Sequence, residues 1–447
     1  MSSAHPVDAS DDHSHRLSDQ LIRVTGLAGP LYRIAAFRWL WAGTAVSALG
    51  SFVGALAIAF TMVKTLDASP AQVAAVLGVQ LIAGMVAAPL VGVLVDRRRR
   101  RPLLIAADLV RAAMFLMLPL AHRTGHLTVG LVAAVSAITG AANVLFNSAY
   151  GSHLPRVVGR EHLIAANAAI AASVSVAEVA GFGLAGWLVQ WLGAPNAVIV
   201  DSSSFLASAL CILAIRSPEP HRVPRGRMPR RPGEVWREAT AGARYVAQEP
   251  VLRALLGTAA LFDMSVSLIG VSYLLYLSDQ LGFGDGLLGS IFAIGGVTSL
   301  LGAGLAKRAE RTGKVGRSLV LAGAVRTVGV AAMPAASSTG MAGVGLLVAN
   351  QVVTDPAWML QEIAEVSIRQ GRTPDEVAGR VIAAHQLAGS SGRLTGTIAA
   401  GVIGNAFGPR PALWSGVALC AIGTVVLWRS PTFHVVRAGD PAAQPSN

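Results

Sequence analysis

The sequence predicts an all-α membrane protein, with twelve transmembrane helices in two pseudo-symmetric six-helix bundles. Three observations predict it. The 447 residues are 53% hydrophobic and only 13% charged, whereas a soluble domain of this size carries about 25% charge. The apolar residues fall into long uncharged runs, the length a helix needs to cross a bilayer. The basic residues sit in short blocks between those runs, and the blocks alternate in a way that writes membrane topology.

Taken in order, the chain opens with a polar tail, 1–36, rich in His, Asp and Ser and without the apolar core of a cleaved leader. It reads as a cytoplasmic tail; His5, His13 and His15 in it read as solvated rather than metal-binding. The first bundle, 37–215, contains spans near 39–63, 71–95, 103–121, 127–150, 163–190 and 196–215. A hydrophilic connector, 216–250, follows. Val235, Trp236, Ala239, Ala243 and Val246 fall near one helical face within it, which predicts a helix lying on the inner membrane surface or, alternatively, a solvated linker helix. The second bundle, 251–428, contains spans near 251–277, 286–306, 318–336, 340–360, 381–407 and 412–428, and 429–447 forms a C-terminal cytoplasmic tail.

Charge tests the count of spans. With both termini inside, 30 of the 36 Lys and Arg fall on inner loops and tails. Lys64, Arg123 and Arg410 fall outside, and Arg111, Arg326 and Arg393 lie within spans. An odd number of spans in either half would scramble this alternation. The halves also echo each other. LIAAN at 163–167 is similar to VIAAH at 381–385, and a 215-residue offset places Gly181 on Gly396, Gly186 on Gly401 and Gly193 on Gly408.

The net charge of +12 does not point to nucleic acid, because the basic residues are loop blocks rather than a stripe. Cys211 and Cys420 lie inside apolar runs and read as small buried residues without disulfide or metal spacing. No P-loop, nucleophile set or metal-ligand spacing is present, so the chain reads as neither an enzyme nor a cofactor binder. The excess of Arg over Lys and the abundance of Ala suggest a bacterial source.

The stretch GVLVDRRRRRPL carries the most specific pattern. Gly92, Asp96, Arg97, Arg100 and Arg101 resemble the G-x-x-x-D-R-x-G-R-R signature of the major facilitator superfamily, with Arg99 where that family has glycine. The degraded copy after the eighth span keeps Gly302 and Lys307 but has Ala306 in place of the acid. The likeness extends over about 37–428 and is nearest to a branch of drug and siderophore exporters that includes enterobactin exporters and macrolide-efflux-like proteins. FRWLWAGTAVSALGS, LPRVVGREHLIAANA, VDSSSFLASA and GARYVAQEPVLRALL carry it, as does Gly379-Arg380-Val381. Two departures stand out. Ser51 replaces an acid common in the first span of that branch. The fifth-span signature G-P-x-x-G-G reads Gly181-Phe182-Gly183-Leu184-Ala185-Gly186, without the proline.

The resemblance implies a gate in the arginine block. Asp96 would accept hydrogen bonds near the start of the eleventh span, locking the outward-facing state. Gly181 and Gly186 read as helix-packing residues, since small residues let helices approach closely.

The remaining candidates are charges inside spans, which cost about 2.5–3.5 kcal/mol at mid-bilayer and so face a partner or a cavity. Asp108 and Arg111, three apart, read as a structural pair. Asp201 reads as a hydrogen-bonding residue, with proton or substrate coupling as its alternative role. Asp355 precedes Pro356, where a kink frees carbonyls. Asp263, Arg326 and Arg393 read as either ion pairs or cavity-lining groups. Glu178 is the leading candidate for proton coupling. Its neighbours in the fifth span are small or apolar with no positive residue within a turn or two, and the 215-residue offset sets Arg393 at the equivalent point.

The expected function is export of a small amphipathic compound (drug, antibiotic or siderophore) by alternating access and proton antiport. The expected protein is a monomer among membrane lipids in the bacterial cytoplasmic membrane. The alternatives are a lipid or metabolite permease, or a membrane sensor or scaffold that does not transport.

Overall fold

The computed structural model describes residues 31, 34–159, 162–215, 244–374 and 377–436. Among the described residues, twelve long helices follow one another. They are α1 (Ala35–Phe60), α2 (Pro70–Arg97), α3 (Arg100–Arg123), α4 (Val129–Val158), α5 (Leu163–Leu192) and α6 (Ala194–Ala214), then α7 (Pro250–Leu274), α8 (Asp285–Arg311), α9 (Val315–Ala335), α10 (Met341–Gly371), α11 (Ala378–Phe407) and α12 (Pro409–Arg429). Ten are long and apolar enough to cross a bilayer. The other two, α10 and α11, have the length but are interrupted by polar residues, among them Gln351, Asp355 and Gln361 in α10 and His385 and Arg393 in α11.

Several helix ends differ from the sequence expectation, for definite reasons. The arginine block is not a five-residue loop: α2 runs through Arg97 and α3 begins at Arg100. Pro102 falls in the first turn of α3, where its missing N–H breaks no bond, so the helix starts ahead of it. The stretch after Tyr150 continues as helix to Val158 and ends at Gly159, whose φ of 79° suits glycine. α10 runs on to Gly371, beyond the apolar run. Val235, Trp236, Ala239 and Ala243 of the connector lie outside the described residues, as do His5, His13, His15 and both tail ends. Val246 is described, and it packs into the protein against Leu252 and Val381.

Packing pairs repeat between the halves. α1 packs on α5 and α6, α2 on α4, and α3 on α4 and α6; α7 packs on α11 and α12, α8 on α10, and α9 on α10 and α12. Local devices repeat too. α1 leaves through a π-helical turn, Thr61–Thr65, and α7 through another, Leu275–Gln280. Gly193 and Gly408 join α5 to α6 and α11 to α12 with φ of 79° and 91°. A Cβ at either joint would strain the backbone.

Two helix pairs make the main contacts between the halves, α5 with α8 and α2 with α11. Both contacts lie toward the end of the bundle away from the arginine block. There Gly186 meets Gly289, Gly183 meets Ala293, and Gly401 and Gly404 sit against Ala74 and Pro70. The apolar core follows the same division. One core at this far end runs through both halves, from Val53 and Val198 to Leu277 and Leu413. At the arginine end the core separates, with Phe37, Leu104 and Ile212 in the first half and Val251, Leu319 and Ile368 in the second. The halves are therefore closed on each other at the far end and apart at the arginine end. Outward faces such as Val176, Leu184, Trp187 and Trp191 on α5 and Val328 on α9 stay exposed, as a lipid-contacting surface requires.

Candidate transport site

Each half contains a buried polar network. In the first, Arg111 on α3 pairs with the wholly buried Asp108. It also donates to Asn143 Oδ1 on α4 at 3.0 Å and lies over the rings of Phe146 and Phe205, 4.4 and 4.1 Å from their centroids. Asp201 on α6 accepts from Ser51 and Ser204, both at 3.4 Å, and its carboxylate crowds Gly54. A carboxylate thus lies beside Ser51 even though α1 lacks an acid there. Ser202 ties α6 to α3 by donating to the Ala112 carbonyl at 2.7 Å.

The second half repeats the scheme with other residues. Arg326, at the 215-residue offset from Arg111, is buried on α9. It lies 5.1 Å from the Phe262 ring centroid and donates to Gln361 Oε1 at 3.4 Å. Asn350, Gln351 and Thr354 bond one another along α10 at 2.8 and 3.1 Å. Arg393 on α11 pairs with Asp263 on α7 at 3.0 Å, with the arginine side chain 55% exposed. His385 Nε2 lies 2.6 Å from Glu365 Oε1.

Glu178 differs from these groups. It lies on α5 away from the exposed face marked by Val176, Leu184, Trp187 and Trp191. Among the described residues, no hydrogen bond or ion pair reaches it. Asp355 lies on α10, which packs on the same helix, α8, as α5 does. The two acids flank α8, since the next residue, Val179, presses on Gly296 while the Asp355 carboxylate rests on Gly295. Above them, toward the far end, Phe182 lies one turn along α5. Its ring is 5.1 Å from Phe52 of α1 and 6.1 Å from Phe292 of α8, and Phe292 is 5.6 Å from Tyr273 of α7.

The ends of the bundle carry the remaining groups. Asp96, Arg97 and Gly92 are exposed, while Arg100 is buried. Arg101 donates to the carbonyls of Ile212 at 3.0 Å and Leu213 at 2.5 Å. It thereby satisfies the open end of α6, where the helix dipole favours a cation. At the far end, Lys64 in the π turn after α1 pairs with Asp285 at the start of α8, joining the two halves. Gly181 leaves no room for a methyl against Phe52 and the Leu49 carbonyl, and Gly186 none against Gly289 and the Asp285 carbonyl.

Sequence reasoning gave no role to the aromatic roof or to the Lys64–Asp285 pair, and it read Asp355 only as the neighbour of a kink. Two signals were available. Glu178 and Phe182 are one turn apart, and Lys64 is one of only three basic residues on the outer loops, with Asp285 at the outer end of the eighth span. What sequence could not supply is the meeting of α1, α5, α7, α8 and α10.

Comparison with known proteins agrees with this architecture. The family profile described as Major Facilitator Superfamily matches residues 40–393. An uncharacterized MFS-type transporter, y4rN of Sinorhizobium fredii, is 26% identical over 72% of this chain and 77% of its own length. Macrolide efflux protein A of Streptococcus pyogenes is 34% identical over 28% of this chain and 31% of its own length. The crystal structure of the nucleoside transporter NupG superposes with a TM-score of 0.68 at 13% identity, covering 88% of this chain and 98% of that one. A profile that spans most of the chain and twelve helices in two repeated bundles lead to one conclusion: this multi-pass membrane protein belongs to the Major Facilitator Superfamily of transporters.

Proposed function

We propose that this chain exports a small amphipathic compound from a bacterial cytoplasm by alternating access, driven by proton antiport through Glu178. The arginine-bearing end faces the cytoplasm, because a basic block crosses a membrane poorly. The cavity between the halves then opens inward in this structure, with Lys64–Asp285 and the α5–α8 glycines closing the outside. The partial similarity to a macrolide efflux protein supports the outward direction.

The observation that carries the coupling role is the position of Glu178. Arg111, Asp108, Asp201, Asp263, Arg326 and Arg393 each have a hydrogen bond or ion pair, whereas Glu178 has neither among the described residues. A carboxyl that no fixed partner neutralises can take a proton on one side and release it on the other. The test is Glu178→Gln, which keeps the shape and removes the titration. Proton-driven uptake into inside-out vesicles is expected to fall to the background of empty vesicles at equal expression. Accumulation with unchanged pH dependence would contradict the assignment.

A further inference from the structure

The two halves close equivalent helix ends by different means. In the first, Arg101 near the start of α3 donates to the carbonyls of Ile212 and Leu213 at the end of α6. The 215-residue offset that connects Arg111 to Arg326 sets Gly316 at the position of Arg101, Leu427 at that of Ile212 and Trp428 at that of Leu213. The helix starts correspond as well, since Arg101 and Gly316 are each the second residue of their helix. The second half therefore has no arginine to close the end of α12.

The chain that follows α12 takes the place of that side chain. Ser430 donates its hydroxyl to the Leu427 carbonyl at 2.7 Å, the counterpart of the carbonyl that Arg101 Nε reaches. The same hydroxyl accepts from the Thr432 N–H at 3.3 Å and opens a single 3-10 turn, Pro431–His434. This turn packs on α7, α9 and α12. The chain then crosses the start of α9, where the Gly316 N–H donates to the Val435 carbonyl at 3.0 Å and the Val315 N–H to the Val436 carbonyl at 3.4 Å. A helix start leaves such N–H groups without an internal partner. Val435 is buried in the second-half core at the arginine end, with Val251, Leu319 and Leu427, and Phe433 packs beside it. Gly316 makes the room. A Cβ there would collide with the Thr432 carbonyl oxygen, which is backbone and cannot swing aside. An arginine side chain at 316 and this path of the chain exclude each other.

We infer that residues 430–436 form a strap that stands in for the missing arginine and clamps the start of α9 to the start of α7 and the end of α12. The strap makes the α8–α9 connection a fixed part of the second bundle. That connection carries the copy of the gating pattern whose acid is replaced by Ala306. Movement at the arginine end is then left to the α2–α3 connection and to the rocking of whole bundles.

The test compares four proteins in nanodiscs: the wild type, a variant with glycine at residues 430–436, Gly316→Arg, and the two changes combined. Melting is followed by tryptophan fluorescence, and amide hydrogen exchange is read over residues 315–318. The glycine variant is expected to melt several degrees lower and to exchange about tenfold faster or more at the start of α9, because Val315 and Gly316 lose their acceptors. Gly316→Arg alone should also melt lower, through its collision with the strap. In the combined variant the new side chain is free to reach the Leu427 and Trp428 carbonyls, so at least half of the melting temperature lost by the glycine variant should return. Should Gly316→Arg alone fail to fold, the combined variant decides, since there it has no strap to meet. Losses that merely add would overturn the replacement of an arginine by the strap. Wild-type melting and exchange in the glycine variant would overturn the strap itself. Spin labels on Arg253 and Lys314, in a Cys211→Ser/Cys420→Ser background, test the fixed connection. One narrow distance is expected in the wild type from pH 6 to pH 8 and a broad distribution in the glycine variant; two distances in the wild type would overturn it.

Discussion

Arg111 shows how a full charge is kept inside this protein. Its guanidinium has a carboxylate partner, an amide oxygen and two ring faces, while its Nε is buried without a hydrogen-bond partner among the described residues. Removing one member of a buried pair leaves the other uncompensated, at a cost of about 3–5 kcal/mol. Arg111→Leu is therefore expected to lower the melting temperature of the purified protein by several degrees, as followed by tryptophan fluorescence. The double variant Asp108→Asn/Arg111→Leu should recover part of the loss; a single variant that melts like the wild type would show that the pair holds nothing together. At this scale much was legible. The spacing of Asp108 and Arg111 announces a pair on one helix face, and the 215-residue offset connects Arg111 to Arg326. The partners of Asp263 and Asp201 were not legible, because Arg393 and Ser51 lie more than a hundred residues away and meet them only through helix packing.

At the scale of the element, α5 carries most of the argument. One face meets α1 through Gly181, a second meets α8 through Gly183 and Gly186, a third is exposed, and Glu178 with Phe182 looks into the seam. Gly289→Leu would force α5 and α8 apart at the far end. In a Cys211→Ser/Cys420→Ser background, a cysteine at Phe292 should then react with an impermeant maleimide from that side several times faster. Unchanged labelling would mean that the close approach does not seal the pathway. The α2–α3 connection allows a second test. Asp96 is exposed in this conformation, as expected if its partners at the start of α11 are reached only when the arginine end closes. Asp96→Asn should reduce exchange by roughly tenfold at equal expression, and normal exchange would remove its gating role. Hydropathy located all twelve helices but missed the ends of α4 and α10, because polarity marks where the bilayer stops and not where hydrogen bonding stops.

At the scale of the whole molecule, the two halves share one apolar core at the far end and keep separate cores at the arginine end. A single rotation about the α5–α8 and α2–α11 seams can exchange these conditions. The sequence repeat made the two bundles legible. It could not show which end is closed, since that depends on contacts between halves that both conformations of the same sequence must allow. The most direct test of alternating access is a pair of distances measured by pulsed electron spin resonance in nanodiscs, on the cysteine-free background. One pair of labels goes on Arg98 and Ile382 at the arginine end, and the other on Asp67 and Asn405 at the far end. Two populations with anticorrelated distances are expected: in the second, the Arg98–Ile382 distance shortens while the Asp67–Asn405 distance lengthens, with the balance shifting with pH. One invariant distance at each end, across pH, would contradict alternating access.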